Sequence, residues 1–508
     1  MELEIKLRSR TIKQIAIVAL LIGLAKFLAF GRDVMLSSIF GAGPETDALF
    51  IAITIPGFVF SGVFATIGMV FLPIYIREQM HNREGLLDVS KAIYIFYLAT
   101  TLLITFLTVT FADEMVSTIA PGAPETVKAT SASLVRIFSL GFIFSCWVGL
   151  QNTVFQANKL FIYPMFTPVV VHAVAIVGLF VAYIAGRDIR IVAYGSILGW
   201  IVVATLYLRN SQINITELIG ANAASGKTKH LFLMSIPVFL SVSLDQFNIL
   251  IDMYIGSSFS EGSLSHLSYA SRLALLLGSF FSLAVSHILF PYISRNYAEN
   301  DNIKGAIILG KSVSSVVVFT APITIICLVK SDFVVGSVFQ RGEFLADDVI
   351  STANVLRMYC IGMILLAIRE ILNRAFLADQ KTGKILVCGL TSAVANVSTS
   401  IYFAKQMGLP GIALGTSFGL LCYVAMQLIL MWRSGRSLDF KNQTPILIST
   451  IFGAAAMTYV LQYRIYESCI EHCFTLEIVH ILLSLASYCL AVFSASLILR
   501  TFLRGRAV

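Results

Sequence analysis

Two cations lie close together in the first apolar stretch of the sequence, where a charge is costly. Lys26 lies inside the lipid-like run IAIVALLIGLAKFLAF, and Arg32 and Asp33 end that run. A charged side chain at membrane depth faces protein, water or a ligand in preference to lipid. Clustered cations that face a cavity suit phosphate groups, because an arginine offers a phosphate two donors at once. These residues predict a site for an anionic ligand.

A third cation of this kind, Arg272, lies in the apolar segment SYASRLALLLGSF. Small neighbours such as Ser268 and Gly278 would let it face another helix or a cavity. Neither Arg272 nor Lys26 has an acidic neighbour in sequence, so we expect both to face a cavity. Together with Arg32 they would form a cationic pocket drawn from both halves of the chain.

The turn at 41–44 (GAGP) separates the first two apolar segments. Pro44 is suited to the first position of the following helix. Glu45 and Asp47 would then lie in the first turn of that helix, where the helix dipole favours negative charge.

Asp245 and Asp252 are seven residues apart in a later apolar segment, and therefore share one helix face. Buried carboxylates in transporters often hold Na⁺ or H⁺, and Asn396 and Thr416 would add oxygen ligands. A counter-ion role toward Arg272 is the alternative. Coupling to a monovalent cation such as Na⁺ and coupling to the membrane potential therefore both stay open.

Composition indicates the fold class. Hydrophobic residues make up 57% of the 508 residues and charged residues 13%, about half the charged fraction of a soluble protein. We predict an all-α polytopic membrane protein with about fourteen transmembrane helices. The predicted spans are 12–31, 47–76, 90–112, 131–154, 161–185, 190–208, 230–255, 264–294, 306–328, 350–377, 384–404, 409–432, 445–463 and 475–500.

The net charge of +8 comes from cations spread over short connections. Lys and Arg are concentrated in both tails and in the even-numbered connections, so both termini should be cytoplasmic. This pattern argues against a nucleic-acid partner. The sequence also lacks an HExxH pattern, a glycine-rich phosphate loop and a nucleophile elbow, so we expect no enzyme, no catalytic residue, no bound metal and no cofactor.

The sequence contains an internal repeat. LVRIFSLGFIF and QNTVFQAN match VLRMYCIGMIL and LNRAFLAD, so that Arg136 corresponds to Arg357 and Asn152 to Asn373. Six spans per repeat keep the same orientation, which indicates two parallel six-helix repeats plus two C-terminal helices. The predicted domains are an N-terminal lobe (1–208), a cytoplasmic linker (209–229), a C-terminal lobe (230–434) and two additional helices with a cytoplasmic tail (435–508).

Several motifs resemble the MurJ (MviN) family of lipid II flippases, within the superfamily of multidrug, oligosaccharidyl-lipid and polysaccharide exporters. They are Arg32-Asp33, IFGAGPETDALFIA (39–52), SYASRL (268–273), SVFQRGEF (337–344) and LNRAFLADQKTGK (372–384). The resemblance implies a central cavity and alternating-access transport of lipid II, the undecaprenyl-pyrophosphate-linked peptidoglycan precursor. Transport would run from the inner to the outer leaflet of the bacterial cytoplasmic membrane, in contact with membrane lipid.

The resemblance also implies site residues. The substrate-binding set is Lys26, Arg32, Asp33, Asp47 and Arg272, and the ion-binding set is Asp245, Asn396 and Thr416. This chain departs from the family at two places. Ser400 stands where family members with a sodium site have an acid, and residues 57–68 carry no charge where the family has arginines.

These departures leave alternatives. The chain would be a flippase for another undecaprenyl-linked oligosaccharide, such as an O-antigen unit, or a drug/cation antiporter of the same superfamily. An antiporter predicts an acidic first-half cavity, which Lys26 and Arg32 oppose. A scaffold that binds envelope-synthesis proteins is the alternative from a different class.

Overall fold

A computed structural model describes residues 2–80, 83–210, 243, 246–298, 302–379, 381–435, 438–462 and 474–505. Within these ranges all regular structure is helical. The predicted all-α class is therefore confirmed. Asp245 and most of the predicted linker 209–229 lie outside the described residues.

The helices of the first part of the chain end near residue 210. They are α1 (Glu2–Phe40), α2 (Pro44–Thr66), α3 (Leu72–Gln79), α4 (Arg83–Thr110), α5 (Ala112–Ile119), α6 (Glu125–Ala157), α7 (Ile162–Ile184) and α8 (Ile189–Asn210). A π-helical turn, Ile67–Phe71, joins α2 to α3. As predicted, α2 begins at Pro44 with Glu45 and Asp47 in its first turn.

The later helices follow the same alternation of long and short elements. They are α9 (246–256), α10 (Ser263–Ala298), α11 (Asn302–Val329), α12 (Ser331–Phe339), α13 (Ala346–Ala378), α14 (Thr382–Met407), α15 (Leu409–Arg433), α16 (Phe440–Gln462) and α17 (Phe474–Gly505). Among the described residues, ten helical stretches are long and apolar enough to cross a membrane, and they coincide with ten predicted spans. Three further predicted spans coincide with the long helices α1, α10 and α13.

The chain divides into two compact units. The first comprises Met1–Ser265 together with the short segment Arg341–Leu345, and the second comprises His266–Gln340 and Ala346–Val508. In the first unit, an apolar core of Val63, Phe71, Tyr94 and Leu150 joins α2, the π-helical turn, α4 and α6. In the second, Leu309, Leu372 and Val424 belong to a core that joins α11, α13 and α15.

The internal repeat is visible as the same polar contacts inside each unit. In the first, Arg136 on α6 pairs with Asp113 on the short helix α5. In the second, the repeat-equivalent Arg357 on α13 pairs with Asp332 on α12. Each arginine therefore fixes a short helix to the long helix that follows it.

A second repeated contact involves the equivalent asparagines. Tyr207 donates a hydrogen bond to Asn152 Oδ1 over 3.0 Å in the first unit. Tyr423 donates one to Asn373 Oδ1 over 3.0 Å in the second. The repeat read from sequence thus corresponds to equivalent side-chain contacts.

A glycine stripe on α15 sets the spacing between α14 and α15. A Cβ at Gly415 would lie 2.1 Å from Ser400 Oγ, and one at Gly411 would lie 2.2 Å from the Phe403 carbonyl oxygen. Glycines four residues apart let two membrane helices approach closely, where backbone and small polar groups provide the contact.

We expect Gly415→Ala to lower the stability of the protein by about 1–3 kcal/mol, because the added methyl group forces α14 and α15 apart. Gly57→Ala is the matched control, since nothing lies within 4 Å of a Cβ at Gly57 on α2. Thermal inactivation in detergent, followed by size-exclusion fluorescence, measures both. Equal midpoints for the two variants would contradict the assigned helix contact.

Candidate functional site

The predicted cationic residues of the first unit lie on α1. Arg32 Nη2 and Nε lie 2.8 Å and 3.2 Å from Asp33 Oδ1, so the guanidinium donates two hydrogen bonds to one carboxylate oxygen. The Asp33 side chain is 10% exposed and that of Arg32 is 26% exposed. The carboxylate thus compensates much of the positive charge of Arg32 and fixes its direction.

Lys26 differs from Arg32 in having no such partner. Its side chain is half-buried, and among the described residues none makes a hydrogen bond or ion pair with its ammonium group. Seven residues, about two helical turns, separate Lys26 from Asp33, so both lie on the same side of α1. A partly desolvated, uncompensated ammonium group attracts an anion. Of these two cations, Lys26 is thus the one whose charge no described carboxylate compensates.

The turn between α1 and α2 is held by its own hydrogen bonds. Gly41 has a φ of +65°, which closes the end of α1. Thr46 Oγ1 accepts the Gly43 N–H over 2.9 Å at the start of α2. The residue that follows, Asp47, is thereby held in a fixed direction.

Asp47 caps the start of α10. Its Oδ2 accepts the Gly262 N–H over 2.7 Å, and its Oδ1 accepts the Ser265 N–H over 2.7 Å and the Ser265 hydroxyl over 2.6 Å. The residue is 4% exposed. A helix start has N–H groups without partners inside the helix, and an acidic side chain satisfies both them and the dipole. In this structure the carboxylate therefore fixes the start of α10.

Arg272 lies on α10, seven residues beyond Ser265, and so on the same side of the helix two turns further along. It is half-buried and belongs to the second unit, whereas Lys26 and Arg32 belong to the first. Each unit thus contains a half-buried cation on a long helix. A single pocket containing all three stays a prediction.

His266 is a polar residue of α10 that no sequence motif indicated. Its Nδ1 lies 2.9 Å from Thr352 Oγ1, and its Nε2 lies 3.7 Å from Asp348 Oδ1, both on the first turns of α13. The ring is buried. The acidic start of α13 was the available sequence signal, but nothing in the sequence relates it to a histidine more than eighty residues away.

The predicted ion ligands that the structure describes are engaged with protein groups. Asn396 is 2% exposed, and its Oδ1 accepts the Ser400 hydroxyl over 2.7 Å. Thr416 Oγ1 donates to the Ile412 carbonyl over 3.3 Å. Among the described residues, no group of three or more His, Cys, Asp or Glu side chains is arranged to hold a metal ion.

The uncharged stretch 57–68 lies on α2 and runs into the π-helical turn Ile67–Phe71. A π-helical turn widens the helix and leaves one backbone hydrogen bond displaced, and such turns often occur at functional sites. Phe60 in this stretch stacks on Phe142 of α6, with ring centroids 4.0 Å apart. Phe60 thus packs on an aromatic ring within the stretch where the family resemblance implies arginines.

A comparison with known protein families shows to which family the chain belongs. The profile of the family described as "Lipid II flippase MurJ" matches residues 36–494, most of the chain. The chain belongs to the MurJ family of lipid II flippases. The resemblance read from the motifs is therefore confirmed, and a flippase is a transporter, as predicted, and not an enzyme. Lys26, Arg32 and Asp33 precede the matched MurJ range.

Curated MurJ relatives cover most of the chain. The "Probable lipid II flippase MurJ" of Thermotoga maritima is 27% identical over 431 residues, which are 84% of this chain and 86% of the relative. The "Lipid II flippase MurJ" of Burkholderia cenocepacia is 22% identical over 409 residues, which are 78% and 79% of the two chains.

Solved structures support the MurJ fold. A "Lipid II flippase MurJ, inward closed conformation" superposes with a TM-score of 0.81 at 22% identity, covering 96% of this chain and 99% of that one. An inward-facing MATE family multidrug resistance transporter of the MOP superfamily gives a TM-score of 0.67 at 17% identity, covering 82% and 94%. The predicted polytopic fold with about fourteen spans is confirmed.

Proposed function

We propose that this chain moves lipid II from the inner to the outer leaflet of the bacterial cytoplasmic membrane by alternating access. The observation that carries the proposal is Lys26, a half-buried ammonium group inside a membrane helix with no partner among the described residues. Maintaining such a charge is costly, and binding an anionic ligand offsets the cost. Membership of the MurJ family supplies the substrate class.

In this proposal the cations bind the substrate and the two acidic residues orient them. Lys26 and Arg32 bind the pyrophosphate, and Asp33 fixes the direction of the Arg32 guanidinium. Arg272 binds the same group from α10, whose start Asp47 positions. The saccharide-peptide head occupies a hydrophilic cavity and the undecaprenyl tail stays in lipid.

The proposed energy source is the membrane potential. Moving one negative charge outward across an inside-negative membrane gains about 2.3 kcal/mol per 100 mV. Sodium coupling is the alternative, and the hydrogen bond between Ser400 and Asn396 disfavours it because it occupies a predicted ligand oxygen.

We expect an inside-negative K⁺ diffusion potential to accelerate lipid II flipping several-fold in proteoliposomes, because the substrate carries net negative charge outward. Replacing Na⁺ by choline on both sides should leave the rate unchanged. A Na⁺ gradient that accelerates flipping at zero potential would assign the coupling to sodium, for which Asn396, Thr416 and Asp245 are the predicted ligands.

The proposal includes an orientation with both termini in the cytoplasm, supported by the distribution of Lys and Arg. Reporter fusions at residue 508, active only on one side of the membrane, measure it. Binding of envelope-synthesis proteins is a further part of the proposal, to be measured by crosslinking in cells.

Complementation tests the function. The chain is expressed in cells depleted of their own lipid II flippase, and lipid II at the outer leaflet is assayed directly. Growth with outward lipid II is the expected result. Lack of rescue by a chain that is well expressed and inserted would count against lipid II as the substrate.

The second candidate is a flippase for another undecaprenyl-linked oligosaccharide, such as an O-antigen unit. The uncharged stretch 57–68, in which Phe60 stacks on Phe142, favours it, because a less cationic site suits a different head group. Rescue of a strain that lacks the corresponding O-antigen flippase, without rescue of the lipid II strain, would assign this function.

A further inference from the structure

A five-residue segment of the second half of the sequence is built into the first unit. Arg341–Leu345, called the strap here, follows α12 and precedes α13 in the chain, and both of those helices belong to the second unit. The strap itself packs within the first unit, where the Phe344 side chain is 1% exposed. The chain therefore enters the first unit and leaves it again within five residues.

Two glycines allow the strap to lie directly on the turn after α1. Glu343 N–H donates to the Ser38 carbonyl over 2.9 Å. Gly342 has a φ of +59°, and a Cβ there would lie 2.1 Å from the Ser38 carbonyl oxygen. Gly41 has a φ of +65°, and its Cβ would lie 2.6 Å from the Glu343 carbonyl oxygen. Backbone thus packs on backbone, with no room for a side chain on either glycine.

An ion pair holds the other side of the strap. Glu343 pairs with Arg187, which lies in the turn between α7 and α8 and has a φ of +64°. The guanidinium also lies 6.0 Å from the centroid of the Tyr183 ring. Both partners are about half exposed, so the pair is weak and can be broken at small cost.

The three connections that meet at the strap are all odd-numbered in the predicted topology. They follow the first, fifth and ninth predicted spans, and odd-numbered connections lie outside if the termini are cytoplasmic. A transporter that exposes its substrate site alternately to each side must break contacts on the closed side. The backbone packing of Gly342 on Ser38 can hold the outer side closed. The exposed ion pair between Glu343 and Arg187 can be broken easily when that side opens.

We propose that the strap is a closure on the outer side of the first unit, and that its release from Ser38, Gly41 and Arg187 is a step in outward opening. This proposal rests on the proposed flippase function. Movement of α12 or α13 pulls on the strap directly because the chain is continuous.

Hydrogen–deuterium exchange of the Glu343 amide measures how firmly the strap is closed, independently of transport. Gly342→Ala should raise the exchange rate of segment 341–345 at least about tenfold, because the methyl group displaces the strap from Ser38. Gly435→Ala is the matched control, since Gly435 has a φ of +68° and nothing lies within 4 Å of its Cβ. Arg187→Gln should raise the rate about two- to fivefold, and the exchanged pair Arg187→Glu with Glu343→Arg should restore it.

A reversible crosslink measures the release. Arg187→Cys with Glu343→Cys is joined by a short, reducible bis-thiosulfonate reagent, and lipid II flipping is assayed before and after reduction. We expect the crosslink to slow flipping at least about tenfold and reduction to restore it, while each single variant treated alike keeps its rate. Undiminished flipping by the crosslinked protein would overturn the proposal.

The two measurements separate this inference from the proposed function. If even the unaltered chain does not flip lipid II, the proposed function fails. The exchange comparison alone then tests whether the strap is held closed by the contacts described above. Equal exchange of segment 341–345 in Gly342→Ala and Gly435→Ala would then overturn it.

Discussion

Lys26→Gln is expected to abolish rescue of a flippase-depleted strain and to slow lipid II flipping in proteoliposomes by about ten- to a hundredfold. The expected loss corresponds to one hydrogen bond between charged groups, about 1.5–3 kcal/mol. The ammonium group has no partner among the described residues, so the substitution breaks no hydrogen bond or ion pair that the described part of the chain makes. Thermal stability should therefore stay unchanged or rise slightly, since a partly buried charge is removed.

The control is Lys26→Arg, which keeps the charge and offers phosphate a planar, bidentate group in place of the ammonium group. It should retain rescue. Arg272→Gln should lose rescue and slow flipping, as Lys26→Gln does. The combination of lost flipping and retained stability distinguishes a ligand-binding cation from a structural one. Full rescue by Lys26→Gln would remove the central support of the proposed substrate site.

The sequence predicts best where one physical pattern acts over a whole helix. Spans such as 161–185 and 409–432 coincide with α7 and α15 because crossing a bilayer requires about twenty apolar residues in succession. The repeat equivalence of Arg136 and Arg357 also corresponds to equivalent ion pairs. Their partners, Asp113 and Asp332, lie on helices of eight and nine residues, which are too short to produce a spanning pattern.

Contacts between distant segments could not be predicted from the sequence. Nothing local in PETD shows that Asp47 accepts hydrogen bonds from Gly262 and Ser265, more than two hundred residues away. The same holds for the strap, because a backbone-on-backbone contact leaves only glycines as a trace. Gly41 was visible in the turn GAGP and Gly342 in the motif SVFQRGEF, but the carbonyl groups they approach were not.

The predicted ion site is a third feature, in which the sequence shows a substitution but not its structural effect. Ser400 in place of an acid was visible in the sequence as a departure from the family. The effect of this departure is visible only in the structure. There Ser400 fills the space beside Gly415 and donates a hydrogen bond to Asn396. A small residue here permits close packing of α14 and α15, and that packing engages an oxygen otherwise available to a cation.

Asp47→Ala is expected to be the most destabilising of these substitutions, by about 3 kcal/mol. It removes the acceptor of three short hydrogen bonds and leaves the Gly262 and Ser265 N–H groups buried without partners. Asp47→Asn should have an intermediate effect, because an amide oxygen still accepts from Ser265 while the amide nitrogen faces another donor at Gly262. The measurement is the midpoint of thermal inactivation of the purified protein.

Glu45→Gln provides the matched comparison for Asp47→Ala, since Glu45 lies in the same helical turn but is exposed. Its effect on stability should stay within about 0.5 kcal/mol. Flipping and stability should fall together across the Asp47 variants, because the carboxylate acts on transport by fixing the start of the helix that carries Arg272. If Asp47→Asn instead abolishes flipping at unchanged stability, Asp47 contacts the substrate directly and its role as a helix cap is secondary.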